Sequence, residues 1–235
     1  MTPNDPEQIS VEEFVQNQIK KWQTSYSAKD KRKKARLPVI TVSLEPGAGG
    51  CFIGEQVAKR LGFDFFHRDI IHRISESAEI STAVIESLEK ERLSGLQDFI
   101  ASLVEEHYIH PSIYLGHLLK VVGTIGEHGW AVIVGRGANF IISPKDRFAV
   151  RIIAPLEMRI ENVARRFNVS KDIAKRRVLI RENRRSAFVH QSFNADIADP
   201  IHYDLVINTS QMSIETAVDA IAGALIGRLK SNQQL

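Results

Sequence analysis

Pro38-Val-Ile-Thr-Val-Ser-Leu-Glu-Pro-Gly-Ala-Gly-Gly-Cys-Phe-Ile-Gly54 is the stretch that decides the fold. Its first residues, through Ser43, are a short β-branched run, Glu45 to Gly50 is rich in turn formers, and Ile53, Val57, Ala58 and Leu61 recur at helical spacing. The order is strand, glycine loop, helix. Small residues let backbone N–H groups turn toward a phosphate, and the dipole of the following helix favours its negative charge. Gly47, Ala48, Gly49, Gly50, Cys51 and Phe52 are therefore the candidate phosphate-binding residues. The strict Walker pattern is not met. With Gly49 as its final glycine, Gly50 stands where lysine belongs, Cys51 where Ser or Thr belongs, and Leu44 at the first glycine. The dinucleotide fingerprint is not met either, because Phe52 stands at its third glycine. By residues alone, a tight turn without a ligand stays open as the other reading. A thiol at a helix N-terminus can acquire a lowered pKa, but no general base is recognisable near Cys51, which reads as a small packing residue.

Working outward, Gly62 supplies a helix stop and Phe63 to Phe66 a second short strand. Residues 70–129 read as mostly helical, with apolar clusters around Val84, Phe99 and Leu118 and one break at Pro111. That is more than a minimal crossover needs, so it is expected to be an inserted subdomain. Ala131 to Val134 and Phe148 to Ile153 are continuous strands of the kind a parallel sheet covers on both faces. Arg151 interrupts the second and is expected near its end or at a sheet edge. Pro155 suits a first helical turn, Ser170 an N-cap, Tyr203 to Asn208 a last strand, and Ser213 the cap of a closing helix. The fold class is α/β: a doubly wound parallel sheet of about five strands with a helical insertion and a lid. Upstream, Val11, Phe14, Val15, Ile19, Trp22 and Tyr26 draw one apolar stripe on a helix. It is expected to dock on its own domain or on a second copy, which would make a homodimer. Residues 1–36 are thus a helix and basic linker, and 37–235 the main domain, with a lid over 170–200.

The chain has 235 residues, 43% hydrophobic and 25% charged, an ordinary globular composition. No run of about 18 apolar residues is present, and MTPNDPEQIS lacks the order of a secretory signal. One cysteine, Cys51, fits a reducing compartment, so a cytoplasmic location is expected. The formal charge of +3 is local: six cations and one aspartate between Lys29 and Arg36 give +5, leaving −2 for the rest. A fold-wide nucleic-acid surface is therefore not expected. The run itself reads as a solvated linker or a contact for an anionic partner.

Arginines recur at Arg177, Arg181, Arg184 and Arg185, at helical spacing. Guanidiniums stay charged and donate in a fork, which suits phosphoryl oxygens; a solvated basic face is the plainer alternative. His67-Arg68-Asp69 follows the second strand and Gly135-Arg136-Gly137 the third, at the sheet end where ligands gather. The histidines show no metal-ligand spacing.

Ile40-Thr-Val-Ser43, Gly47-Ala-Gly-Gly50, Ile53-Gly54, Val132-Ile-Val-Gly-Arg-Gly-Ala138, Ala154-Pro-Leu-Glu-Met-Arg159 and Tyr203-Asp-Leu-Val-Ile-Asn-Thr209, in that order, resemble the cytidylate kinase-like family of P-loop kinases. The resemblance runs from about 38 to 228. It implies a nucleoside-monophosphate kinase fold in which a phosphate loop, a monophosphate-binding insertion and an arginine-bearing lid act together. The implied activity is transfer of the γ-phosphoryl of ATP, with Mg²⁺, to a nucleoside monophosphate, CMP or dCMP. By position, Gly47 to Phe52 would cradle the donor phosphates. His67, Arg68, Asp69 and Arg136 would bind the acceptor, and Arg181, Arg184 and Arg185 would carry catalysis. Metal ligands are not specified. The chain departs from the family pattern at Leu44, Cys51 and His67, where two arginines and an aspartate are usual, and at Phe188 in place of a lid tyrosine. These departures raise a second expectation, a catalytically inactive nucleotide-binding regulatory protein.

Overall fold

The computed structural model describes residues 10–28, 38–106 and 112–231. Strand β1 (Val39–Leu44) lies between β3 (Ala131–Val134) and β4 (Arg147–Ile153), with β2 (Asp64–Phe66) and β5 (Leu205–Asn208) at the edges. The order is β2-β3-β1-β4-β5 and every pairing is parallel. Because side chains alternate along a strand, β1 feeds two cores. Ile40, Val42 and Leu44 join Val132, Val134, Phe148, Val150 and Ile152 beneath helices α2 (Gly50–Leu61) and α10 (Ile214–Ser231). Val39, Ala131, Ile133 and Phe66 face the opposite way, into the insertion. All six β1 residues are buried, which is why the segment reads as a continuous β-branched run rather than an alternating one.

Four helices occupy the interval between β2 and β3: α3 (Arg68–Glu76), α4 (Ala78–Glu86), α5 (Lys90–Glu106) and α6 (Ile113–His128). Leu118, Leu119, Val122 and Ile125 of α6 are almost fully excluded from water, each contributing about 1.5–3 kcal/mol. Ser77 and Ser112 cap α4 and α6 by accepting from Ile80 N and Leu115 N. The expected break at Pro111 lies outside the described residues. After β3 comes a short helix that periodicity does not announce, α7 (Ala138–Ile141). After β4 come α8 (Leu156–Phe167) and the 23-residue α9 (Lys171–Phe193), whose N-cap is Ser170 as expected.

The upstream stripe docks on its own chain. In α1 (Val11–Ala28), Val11, Val15 and Trp22 are buried in the core beside the insertion, and Gln18 Nε2 donates to Asp64 Oδ2 at 2.6 Å. The basic linker lies outside the described residues. One expectation holds only in part. Arg151 does lie near the end of β4, two residues before Ile153, but on an interior strand and not at a sheet edge, in register with Ser43 on one side and Val206 on the other, and only 7% exposed. An arginine in an apolar run suggests an edge, but here neutral polar side chains on the neighbouring elements receive it.

Candidate active site

The loop leaves β1 with Glu45 N still donating to Ile152 O, at 2.9 Å, and turns back as Ala48 N donates to Glu45 O. Gly47 has φ of +90° and lies against the backbone of Arg159, so a Cβ there would overlap the Arg159 carbonyl. Two loop carbonyls are held by side chains: Gly47 O accepts from Asn162 Nδ2 and Ala48 O from Thr209 Oγ1. Among the described residues, the N–H groups of Gly49, Gly50 and Cys51 donate to no protein acceptor. Free N–H groups at the start of a 12-residue helix are suited to an anion. Gly50 is packed, and a Cβ on it would stand 2.7 Å from Leu44 Cβ and 3.1 Å from Ile152 Cβ. The loop as folded has no space for the missing lysine.

Other cations reach this place. Lys59 and Arg60 do not, being paired with Glu55 and Asp219 toward the far end of α2. Arg185 does: its Nη1 donates to Leu44 O at 2.5 Å, at the last residue before the loop. Burial, then repulsion from Arg68, Arg181 and Arg151, pulls its pKa down to about 10. Burial pushes the Cys51 thiol up, against the lowering influence of Arg68, Arg185 and Arg166. Those three guanidiniums are thus within electrostatic reach of the first turn of α2, and the raised thiol is no ready nucleophile at neutral pH. Arg181, Arg177 and Arg166 each lie 5.8 Å from the exposed ring of Phe167. Arg184 is exposed and joined by no hydrogen bond, ion pair or ring contact to the loop among the described residues.

Two further arginines are not among the expected site residues. Arg159 is buried, pairing Nε with Glu45 Oε2 at 3.3 Å and Nη1 with Glu182 Oε2 at 3.2 Å. It ties the loop to α9. Arg166 is set on the same face of α8 as Arg159 and Asn162, a spacing of three and four that was available in the sequence.

The second half of the candidate site is built on the ends of β2 and β3. Gly135, Arg136 and Gly137 are all left-handed, with φ of 76°, 56° and 66°. For an arginine this conformation is uncommon and costs energy that a functional placement can offset. Gly137 is fixed because a Cβ would run into the Phe193 ring. The twist aims Arg136 Nε at Arg68 O, 3.2 Å away. His67 serves as the N-cap of α3, accepting from Asp69 N, and burial lowers its pKa so that the ring is neutral. Arg68 pairs with Asp69 at 3.3 Å. Farther along, His72 Nδ1 is 3.2 Å from the Tyr114 hydroxyl and its Nε2 3.3 Å from Glu76.

No group of three or more His, Cys, Asp or Glu side chains able to hold a metal gathers among the described residues. Mg²⁺ needs no such cage, since it is commonly held by substrate phosphates and one or two carboxylates. A cavity of about 190 Å³ lined by Leu96, Phe99, Gly126, Ile142 and Lys145 lies at the opposite end of the sheet, before β3 and β4 begin.

The profile of the cytidylate kinase-like family matches residues 39–211, from the start of β1 to just past β5. The chain belongs to that family. It has archaeal relatives named cytidylate kinase. That of Methanocaldococcus jannaschii is 25% identical over 190 residues, covering 80% of this chain and 97% of its own. That of Pyrococcus abyssi is 30% identical over 193 residues, covering 81% and 94%. A crystal structure of an uncharacterized protein from Eubacterium ventriosum shares the fold, with a TM-score of 0.60 at 16% identity over 80% of this chain and 98% of that one. The match to the family begins at β1, so α1 is an addition to the part this chain shares with it. No helix among the described residues is long and apolar enough to cross a membrane.

Proposed function

We propose that the chain is a cytoplasmic nucleoside-monophosphate kinase that moves the γ-phosphoryl of ATP, bound with Mg²⁺, to CMP or dCMP. The observation that carries this reading is the Arg185 guanidinium held at Leu44 O, beside a loop whose Gly49, Gly50 and Cys51 N–H groups are free, with Arg68 and Arg166 within electrostatic reach. In this reading the loop from Gly47 to Phe52 holds the donor phosphates, through the free N–H groups of Gly49, Gly50 and Cys51. Arg68 and Arg136 hold the acceptor phosphate, with His67 and Asp69 fixing the start of α3. Arg181, Arg184 and Arg185 of α9 close over the transferring group. Mg²⁺ brought with the donor would neutralise charge on the β- and γ-oxygens. An acceptor phosphate oxygen attacks the γ-phosphorus, the bond to the β–γ bridging oxygen breaks, and its electron pair leaves with ADP. The loose transition state spreads charge over the equatorial oxygens, where positioned guanidiniums stabilise it.

A second reading, a nucleotide-binding regulator without catalysis, has its own support: Gly50 admits no lysine, and Cys51 stands where a hydroxyl would meet the metal. A coupled assay with ATP and Mg²⁺ across CMP, dCMP, UMP and AMP separates the two. The kinase reading expects turnover with a pyrimidine acceptor, reduced on the order of 10²-fold or more in Arg185→Ala. Saturable ATP binding with no acceptor turned over above that variant would assign the chain to the second reading.

A further inference from the structure

Arg151 and Arg159 are equally buried, 7% and 6% exposed, but only one is neutralised. Arg159 faces two carboxylates, Glu45 and Glu182. Arg151 donates Nη1 to Ser43 Oγ at 2.8 Å and lies 5.8 Å from the ring of Tyr203, whose hydroxyl stands 3.3 Å from the same Ser43 Oγ. All of these partners are neutral, and no carboxylate lies within ion-pair distance of Arg151 among the described residues. A charge held out of water without a counter-charge is costly, and proteins rarely keep one.

Its surroundings say what kind of counter-charge fits. Ser43 and Leu44 are the last two residues of β1, and while Ser43 receives Arg151, Leu44 O receives Arg185. Two guanidiniums thus bracket the strand end next to the phosphate loop, close enough that Arg151 is among the charges lowering the Arg185 pKa. Nearby on the same sheet face, Thr41 Oγ1 is buried without a hydrogen-bond partner, and the Asn139 side chain on α7 reaches toward the Tyr203 hydroxyl. The unmet capacity here is mostly donors. A ligand that satisfies several donors and cancels positive charge is an oxyanion with more than one oxygen.

We propose that Arg151 is a phosphate-site residue, a fixed buried cation whose charge partner is a phosphoryl group of the bound nucleotide. It works from the strand side, with Arg185 opposite, where a Walker loop would use its lysine. The inference rests on the nucleotide-binding reading above, and the experiment separates the two.

Binding of CMP, of a non-hydrolysable ATP analogue and of pyrophosphate is measured calorimetrically on the full chain, for wild type, Arg151→Met and Arg151→Lys, at a temperature where circular dichroism shows each folded. Affinity decides. Arg151→Met is expected to bind at least one nucleotide about tenfold or more weakly. Without ligand it is expected to melt no lower than wild type, because an uncompensated buried charge has been removed. A Met variant that binds both nucleotides as wild type does makes Arg151 a structural cation and overturns the proposal. If the Met variant does not fold, the Lys variant decides: it keeps the charge and loses the fork, so affinity falls by about threefold or more, and unchanged affinity overturns the proposal. Loss confined to CMP assigns the acceptor phosphate to Arg151, and loss confined to the analogue assigns the donor. Wild type binding pyrophosphate alone, more weakly in the variant, would sink the nucleotide reading and keep the anion site. Wild type binding none of the three ends both.

Discussion

A lysine placed at Gly50 would put its Cβ 2.7 Å from Leu44 Cβ and 3.1 Å from Ile152 Cβ, inside two side chains that have nowhere to go in a packed sheet. Gly50→Lys is therefore expected to cost about 1–3 kcal/mol of stability and to lower phosphoryl transfer rather than raise it. Thermal melting together with the coupled assay checks this, and unchanged melting with a gain in rate would contradict it. The residue pattern located the missing lysine, but not the reason, because Leu44 and Ile152 are brought to Gly50 by the pairing of β1 with β4. Arg136 was visible as an arginine between glycines, yet its left-handed backbone was not. Arg151 misled for a related reason: an arginine in an apolar run looks like an edge until Ser43 and Tyr203, distant in sequence, are seen to receive it.

Among the elements, α1 carries the clearest consequence. Trp22 stacks on His128 with ring centroids 3.8 Å apart and planes 8° from parallel, and Ser87 Oγ lies 2.9 Å from His128 Nε2. Burial, aided by Arg92, lowers the His128 pKa to about 3, against about 6.5 in an unfolded chain. Between those values the unfolded chain binds a proton that the folded chain does not. The stability contributed by the neutral ring is thus present above pH 6.5 and lost as pH falls toward 3. Melting temperature is expected to drop with acid below pH 6.5 in the wild type and less steeply in His128→Gln; identical slopes would contradict this. The helical stripe of α1 was legible in the sequence. Its receptor surface was not, because β2, α4 and α6 each contribute a part of it.

At the scale of the whole molecule, the sheet and its coverage could be read in advance, since strands buried on both faces and helices with one apolar face each leave a local periodic signature. The site could be read only in fragments. Arg68 follows β2, Arg136 follows β3, Arg151 lies within β4, Arg166 ends α8 and Arg185 belongs to α9. Parallel pairing brings the ends of β2 and β3 beside β1 and β4, α8 and α9 pack over them, and no spacing along the chain records that meeting. The central claim is that these arginines, beside a loop that admits no lysine, move a phosphoryl group between nucleotides. A single-turnover experiment with γ-labelled ATP and excess CMP tests it most directly. The account predicts that label appears in CDP and that the rate falls on the order of 10²-fold or more in Arg185→Met. Label released only as inorganic phosphate, or equal transfer by the two proteins, would contradict it.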